Sequence, residues 1–263
     1  MSIINHIVLC GSIFGKRVTV YRTDFVFGVA VVLFRVIIST FLWRAIFEGS
    51  QTLSVQGYSY RDLIVYLLLT NTTSLIFTFD LCFKIGQLVK TGRLTTYLYR
   101  PINILYEGLF ETLGASFISI PVLLAVVIYF HVNQGTSLIL LFIKLAYIVL
   151  CYVLWILVLS LISLLGFRMI QMWPLKPIMR GLYMLLAGLL FPLEFFPNNI
   201  GRVIKYNPFG LVGSTLSEVI MGRLDGLLIA KINIGMIVGI TVLFALYNTL
   251  LKRAFRYYEG MGA

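Results

Sequence analysis

The sequence predicts an all-α membrane protein with six transmembrane helices. An N-terminal interfacial amphipathic helix precedes them, broken re-entrant helices lie between spans 5 and 6, and both termini are cytoplasmic. Three observations lead there. First, 60% of the 263 residues are hydrophobic and 12% are charged, with a mean hydropathy of +0.97. Soluble domains average about 45–50% apolar and about 25% charged. Second, six apolar stretches approach the roughly 20 residues that a helix needs to cross a bilayer. Third, the basic residues collect in alternate connections between those stretches.

Residues 1–23 open the chain. Ile3, Ile7, Cys10, Phe14, Val18 and Tyr21 recur at spacings of three and four, while Asn5, Ser12, Lys16 and Thr19 fall largely elsewhere. That spacing marks one apolar helical stripe. Such a helix lies in the membrane interface with its basic residues toward anionic head groups. Within it, Cys10–Arg17 (CGSIFGKR) approximates a phosphate-binding loop. The pattern requires four residues between its glycines and a magnesium-ligating hydroxyl after the lysine. Only Ser12, Ile13 and Phe14 separate Gly11 from Gly15, and Arg17 follows Lys16. No apolar strand precedes the segment either, so the chain is expected to bind no nucleotide itself. No basic residue precedes the short apolar run Ile7–Cys10, which argues against a cleavable signal peptide.

The expected spans follow in order: Phe25–Phe47, Leu63–Phe83, Leu105–Phe130, Ser137–Phe167, Ile178–Phe196 and Leu227–Leu251. Arg35 and Arg44 interrupt the first, and Asn71, Thr72, Thr73 and Ser74 make the middle of the second polar. Pro121 lies inside the third, and Gly188, Pro192 and Pro197 break the fifth. Lys16, Arg17, Arg22, Lys84, Lys90, Arg93, Arg100, Arg168, Lys176, Arg180, Lys252, Arg253 and Arg256 fall on one side of this layout. Arg61, Arg202, Lys205 and Arg223 fall on the other. Basic residues favour the cytoplasm, which places both termini there. The formal charge of +11 is then the signature of cytoplasmic loops beside anionic lipid, and no nucleic-acid partner is expected. Cys10, Cys82, Cys151, His6 and His131 show no metal or redox spacing, so no metal site is expected.

Two connections carry more than linkage requires. In residues 84–103, Gly92 can end one short helix and Pro101 can start the next. Leu88, Leu94 and Leu98 supply apolar handles, with Tyr97, Arg93 and Arg100 among them. Such a rigid, basic-flanked piece suits docking onto a protein partner, or lying on lipid head groups. Residues 192–226 form the second. Pro192, Pro197 and Pro208 break any continuous helix, and Phe209–Ile220 is too short to cross. Broken helices at membrane depth require surrounding protein or a cavity. The segment reads as a mouth or gate, or else as a loop lying flat in the interface.

Polar residues inside the spans are candidate pathway or helix-interface groups. Arg35 sits about ten residues into the first span, where an arginine costs roughly 2.5–3.5 kcal/mol. It either faces the bundle or a subunit interface, toward Asp80 or Glu107, or snorkels. Asn71, Thr72 and Thr73 either join helices or line a polar path. Asp80 and Lys84 have salt-bridge spacing, while Lys144 and Lys231 are expected to snorkel. Glu107 and Glu111 lie four apart on one helix face. They suit acid–base chemistry, or neutralisation of Arg93, Arg100 or another base. The acid–base role would make the chain a membrane-embedded lipid- or glycan-modifying enzyme. A non-catalytic assembly protein is the other alternative.

The run GRLTTYLYRPI (Gly92–Ile102) resembles a signature of one group of ABC-2-type transporter permeases. So does GLLFPLEFFP (Gly188–Pro197) followed by NPF (Asn207–Phe209) and IMGR (Ile220–Arg223). The six-span layout with an interfacial N-terminal helix also matches that family, and the resemblance covers nearly the whole chain as a single domain. It implies an exporter permease that is not itself an enzyme. Two permease chains, often non-identical, would line the pathway. ATP and magnesium would bind in separate ATPase subunits, with this chain holding no cofactor. Leu88, Gly92, Arg93, Leu94, Tyr97, Leu98, Arg100 and Pro101 would couple to those subunits. Gly188, Pro192, Glu194, Pro197, Asn207, Pro208 and Phe209 would form the extracellular gate. The resemblance further implies a prokaryotic plasma membrane, and it leaves the cargo open.

Overall fold

The computed structural model describes residues 22–50, 54–94, 104–169, 171–197 and 200–256. The chain is mostly helical. The predicted interfacial helix lies outside the described residues, apart from Arg22 and Thr23 at its end.

Helix α1 (Arg22–Ser50) is uninterrupted, and its stretch Val26–Gly49 is long and apolar enough to cross a membrane. A two-stranded hairpin, β1 (Ser54–Val55) and β2 (Tyr58–Ser59), turns the chain back. Gln56 and Gly57 both have positive φ at its tip, the twist that two-residue hairpins favour. Ser59 and Asp62 then form a reciprocal capping box that starts α2 (Tyr60–Thr73).

Helix α2 has 14 residues, fewer than the predicted span. Its polar cluster explains the stop. Thr70, Asn71 and Thr72 bond the carbonyls of Tyr66, Leu67 and Leu68, while Thr73 and Ser74 bond those of Thr70 and Asn71. Side chains that compete for backbone carbonyls weaken a helix interior. A 3₁₀ turn at Asp80–Phe83 leads into α3 (Lys84–Lys90), and Gly92, with φ of 66°, closes it.

Helices α4 (Ile104–Ala115) and α5 (Ser119–Gln134) meet at 68°, so the third predicted span is bent. Pro121 falls in the first turn of α5, where its missing N–H has no helical partner to lose. Helix α6 (Leu138–Ser163) is the central element, packed against α10 (Gly226–Arg256). The fifth predicted span becomes the 12-residue α7 (Leu175–Leu186). It ends at Gly188, whose φ is 74°. The amides of Gly188 and Leu189 bond back to Leu185 and Met184, a helix-ending pattern that favours glycine. Beyond it come α8 (Ile200–Lys205) and α9 (Pro208–Met221), the latter with a wide π-type turn at Leu211–Thr215.

Among the described residues, three helices are therefore long and apolar enough to cross a membrane, or four if α4 and α5 count as one bent span. The two remaining predicted spans are short because polar side chains end α2 and a glycine ends α7. The main core joins α2, α6, α7 and α9 through Phe77, Tyr147, Trp155, Tyr183 and Val212. A second cluster at the loop end contains Ile85, Leu94, Leu105, Leu164 and Tyr247. A third lies under the hairpin and contains Trp43, Tyr58 and Tyr66. Outward faces of α1 and α10, including Phe34, Phe41, Ile237 and Val242, are exposed, as suits lipid or a second membrane chain.

Candidate functional site: a closed break opposite an open cavity

The bundle has a hairpin end and a loop end, and the polar residues organise differently at each. At the hairpin end the break after α7 exposes three successive carbonyls, and each finds a donor on another helix. Tyr66 donates to Gly188 at 3.0 Å, the Asn71 amide to Leu189 at 3.0 Å, and the Trp43 indole to Leu190 at 3.2 Å. This satisfies irregular backbone within the bundle, the condition for tolerating it at membrane depth.

From there the chain turns inward and returns. Asn207 caps α9 by accepting from the amides of Phe209 and Gly210, with Pro208 in the first turn. Phe209 meets Trp155 and Tyr183 edge-on against the main core. Tyr147 donates to the Leu211 carbonyl at 2.8 Å, inside the π-type turn. At its other end α9 returns to the hairpin, where Arg223 lies 3.7 Å from the centre of the Tyr58 ring and donates to Gly57. Burial pushes the Tyr58 phenol well above its ordinary pKa, so the ring under Arg223 stays neutral. The residues Gly210–Ile220 are all buried. At about 1.5 Å per residue, 14 residues span about 21 Å, short of the ~30 Å hydrocarbon core.

A buried charge cluster pins this re-entrant piece. Lys205 sits between Glu194, at 3.0 Å, and Glu218, which it contacts directly. The Glu218 side chain is 1% exposed. Ser214 also donates to it, and Thr215 donates to the Lys205 carbonyl. Burial opposes the Lys205 charge, yet the attraction of Glu218 and Glu194 holds its pKa above the ordinary value. Of the predicted gate residues, Glu194 joins this cluster, Gly188 and Asn207 shape the backbone, Pro192 is buried and Pro197 is exposed. Sequence reasoning missed Lys205, Glu218, Tyr66 and Trp43. A glutamate within the apolar run Phe209–Ile220 was the available signal.

Arg35 donates to Asn71 at 3.2 Å. Its partner is this amide, which replaces the expected Asp80 or Glu107. Asn71 thereby ties α1 to the end of α7. It is fully buried, as is Thr73, while Thr72 is half-buried and bonded within its own helix. Lys144 also departs from expectation. It is 1% exposed and donates to Gln134 at 2.8 Å, and Gln134 donates to the Ile220 carbonyl. Its ammonium thus faces the end of α9 and does not snorkel. Lys231 is exposed.

At the loop end, Lys84 lies 3.3 Å from Glu107 and 3.0 Å from Glu111. The predicted carboxylate pair thus clasps one ammonium, and Lys84 takes these partners where the spacing suggested Asp80. Asp80 is exposed. Leu94 is fully buried and Leu88 partly buried in the second cluster, where they fasten the loop to the bundle; Arg93 is exposed. Tyr97, Leu98, Arg100 and Pro101 lie outside the described residues. Between α1, the end of α2, α4 and α7 is an open cavity of about 720 Å³. Gly28, Ser74, Thr78, Asp80, Lys176 and Arg180 are among the residues on its wall.

Comparison with protein families adds the deciding observation: residues 33–262 match the ABC-2 family transporter protein model. The chain belongs to the ABC-2 transporter family. No curated protein matches it. As an ABC-2 permease it is a multi-pass membrane protein. Membership implies association with ABC ATPase subunits, and such permeases are typically non-catalytic membrane subunits. The match takes in α1 from residue 33 and all of α2 to α10, and so the closed break and the cavity wall apart from Gly28.

Proposed function

We propose that this ABC-2 permease forms the translocation pathway of an ATP-driven exporter by alternating access. It would do so with a second permease chain, identical or not, and two separate ATPase subunits that bind ATP and magnesium. The observation that carries the reading is the asymmetry of the bundle. One end is sealed by Tyr66, Asn71, Trp43 and the Lys205 cluster, and the other opens into a polar cavity. That is the arrangement of a pathway open at one side and gated at the other.

In this reading the loop end and both termini face the cytoplasm of a prokaryotic cell, and the hairpin end is extracellular. Helices α2 and α7 complete their crossings with the irregular segments that follow them. Residues 84–103 seat in the ATPase, with Leu94 fastening the element while Arg93 and the residues around Tyr97 and Pro101 reach the partner. ATP binding can drive the cycle only if the ATPase prefers one permease state over the other. The Glu107–Glu111 pair is committed to Lys84, which favours a structural role over acid–base chemistry.

The test is gentle purification of the tagged chain from its native membrane, with the accompanying proteins identified by mass spectrometry. A stoichiometric ATPase is expected, and deleting Gly92–Pro101 should abolish its association. Retention of the ATPase by that deletion overturns the coupling assignment. The chain emerging alone, where other membrane complexes survive, overturns the exporter reading.

A further inference from the structure

The cavity at the loop end holds two cations, Lys176 and Arg180, that meet no carboxylate among the described residues. Arg93, Lys176 and Arg180 line it together with Lys84, against Asp80 and Glu111. Lys84 is clasped by both Glu107 and Glu111. Lys176 and Arg180 have no carboxylate within salt-bridge distance among the described residues; Lys176 lies over the Phe83 ring at 5.2 Å. Above the cavity, Arg35 stands seven residues along α1 from the wall residue Gly28, and so on the same helix face, about 10 Å deeper. It is half-buried, its described acceptor is the neutral Asn71, and Arg180 acts on it as a like charge. Between these cations the wall is mixed, with Leu75, Leu81 and Ala115 set among Ser74, Thr78, Thr112 and Ser119.

An intramembrane arginine is costly unless it is paired, and two repelling cations raise that cost. The most economical counter-charge is one that arrives with a ligand. Positive groups beside apolar stretches of wall at Leu75, Leu81 and Ala115 suit a molecule with an acidic head and a hydrocarbon body. We infer that the cavity binds an anionic amphiphile, its phosphate or carboxylate head held by Arg180, Arg35 and Lys176 and its chain against Leu75, Leu81 and Ala115. Asp80, exposed at the same wall, repels an anionic head, but Lys176 and Arg180 outnumber it. The inference rests on the exporter reading for the direction of travel, but not for the binding itself. The ligand is either exported cargo or a membrane lipid, since both present the same chemistry.

The experiment uses the full chain with its co-purifying subunits in nanodiscs of zwitterionic lipid, titrated with radiolabelled dodecyl phosphate below its micellar concentration. Empty nanodiscs set the background, and unlabelled dodecyltrimethylammonium is the charge-reversed competitor. Saturable binding that this cation does not displace is expected. Loss of one charge-assisted contact should weaken binding about tenfold. Arg180→Gln and Lys176→Gln remove exposed groups and should leave the fold intact. Arg35→Lys tests the buried position where Arg35→Gln fails to fold. Equal displacement by the cation, or unchanged affinity in the Arg180→Gln/Lys176→Gln double variant, overturns the inference.

Two further arms separate the sources. Competition by phosphatidylglycerol included in the nanodiscs identifies a lipid head group. ATP-dependent movement of the probe out of the cavity identifies cargo. Binding without any effect of ATP leaves the anion site standing and removes the exporter reading. An ATPase coupled to the chain without anion binding does the reverse.

Discussion

At the hairpin end, three carbonyls left by the end of α7 are taken by Tyr66, Asn71 and Trp43 from two other helices, and a buried lysine is held between two carboxylates. At the loop end, one partly exposed lysine is shared by Glu107 and Glu111, and the neighbouring Lys176 and Arg180 face an open cavity. Both ends break the helical pattern, but at the first the freed carbonyls find donors inside the bundle, whereas at the second Lys176 and Arg180 face a cavity. A polar group denied water must find its partner inside the fold, whereas one beside a cavity can wait for solvent, ligand or another subunit. The difference therefore sets which end resists substitution and which end is free to respond to a partner.

The sharpest way to break the comparison is at Lys205. Lys205→Met leaves Glu218 buried without its cation, and removing one partner of a buried pair costs about 3–5 kcal/mol. Thermal unfolding in mild detergent should show a large loss. Adding Glu218→Gln should recover most of it, because the orphaned charge goes too. If Lys205→Met melts like the parent, the closed end is not held by this cluster.

Next in size is the tie between α1, α2 and the break. Asn71→Leu strands both the Arg35 guanidinium and the Leu189 carbonyl, and each buried unsatisfied group costs about 1–3 kcal/mol. Tyr66→Phe and Trp43→Phe remove single donors and should each cost about 1 kcal/mol. Asn71→Leu should also raise thiol labelling of a cysteine placed at Leu190, since the break loses a clamp. A protected Leu190 site in that variant would show that the clamp lies elsewhere.

Legibility in the sequence divides along the same line. Helices α1, α6 and α10 could be read directly because their apolar runs are long and uninterrupted. The break after α7 could be located from Gly188, Pro192, Pro197 and Pro208, since proline and glycine act on the backbone locally. The stop of α2 was visible as a polar cluster, but not as a stop, because Asn71 and its neighbours could equally have turned outward. What stayed hidden was pairing. Arg35 meets Asn71 at a sequence separation of 36, and Lys84 meets Glu107 and Glu111 across an intervening loop. Spacing rules see neighbours on one helix, which is why Lys84 was assigned to Asp80. Lys144 was misplaced for a related reason. Position near a helix end suggests snorkelling, while the Gln134 side chain that draws it inward comes from a different helix.

At the loop end the expected effects are smaller and less additive. Glu107→Gln and Glu111→Gln should each cost under about 1 kcal/mol, because both groups are partly solvated and Lys84 keeps the other carboxylate. The double variant should cost more than the sum of the two, since it alone leaves Lys84 without a counter-charge. A double-mutant cycle on thermal stability measures this directly. Strict additivity would mean that the two carboxylates act separately and that the clasp contributes little.

The smallest effect belongs to an ion pair back at the hairpin end. Arg44 and Glu48 meet at 2.8 Å within α1, but their side chains are 65% and 66% exposed. Geometry alone would rank this contact above Lys84–Glu107, which is longer at 3.3 Å. Burial ranks it below, because exposed charges exchange one hydrated partner for another. Arg44→Gln should leave the melting temperature and the labelling of the Leu190 site unchanged. A clear loss there would mean that Arg44 is covered in the assembled transporter, by a second membrane chain against the exposed face of α1. The distinction drawn here would then run between covered and uncovered charges across the whole complex, and no longer between the two ends of one chain.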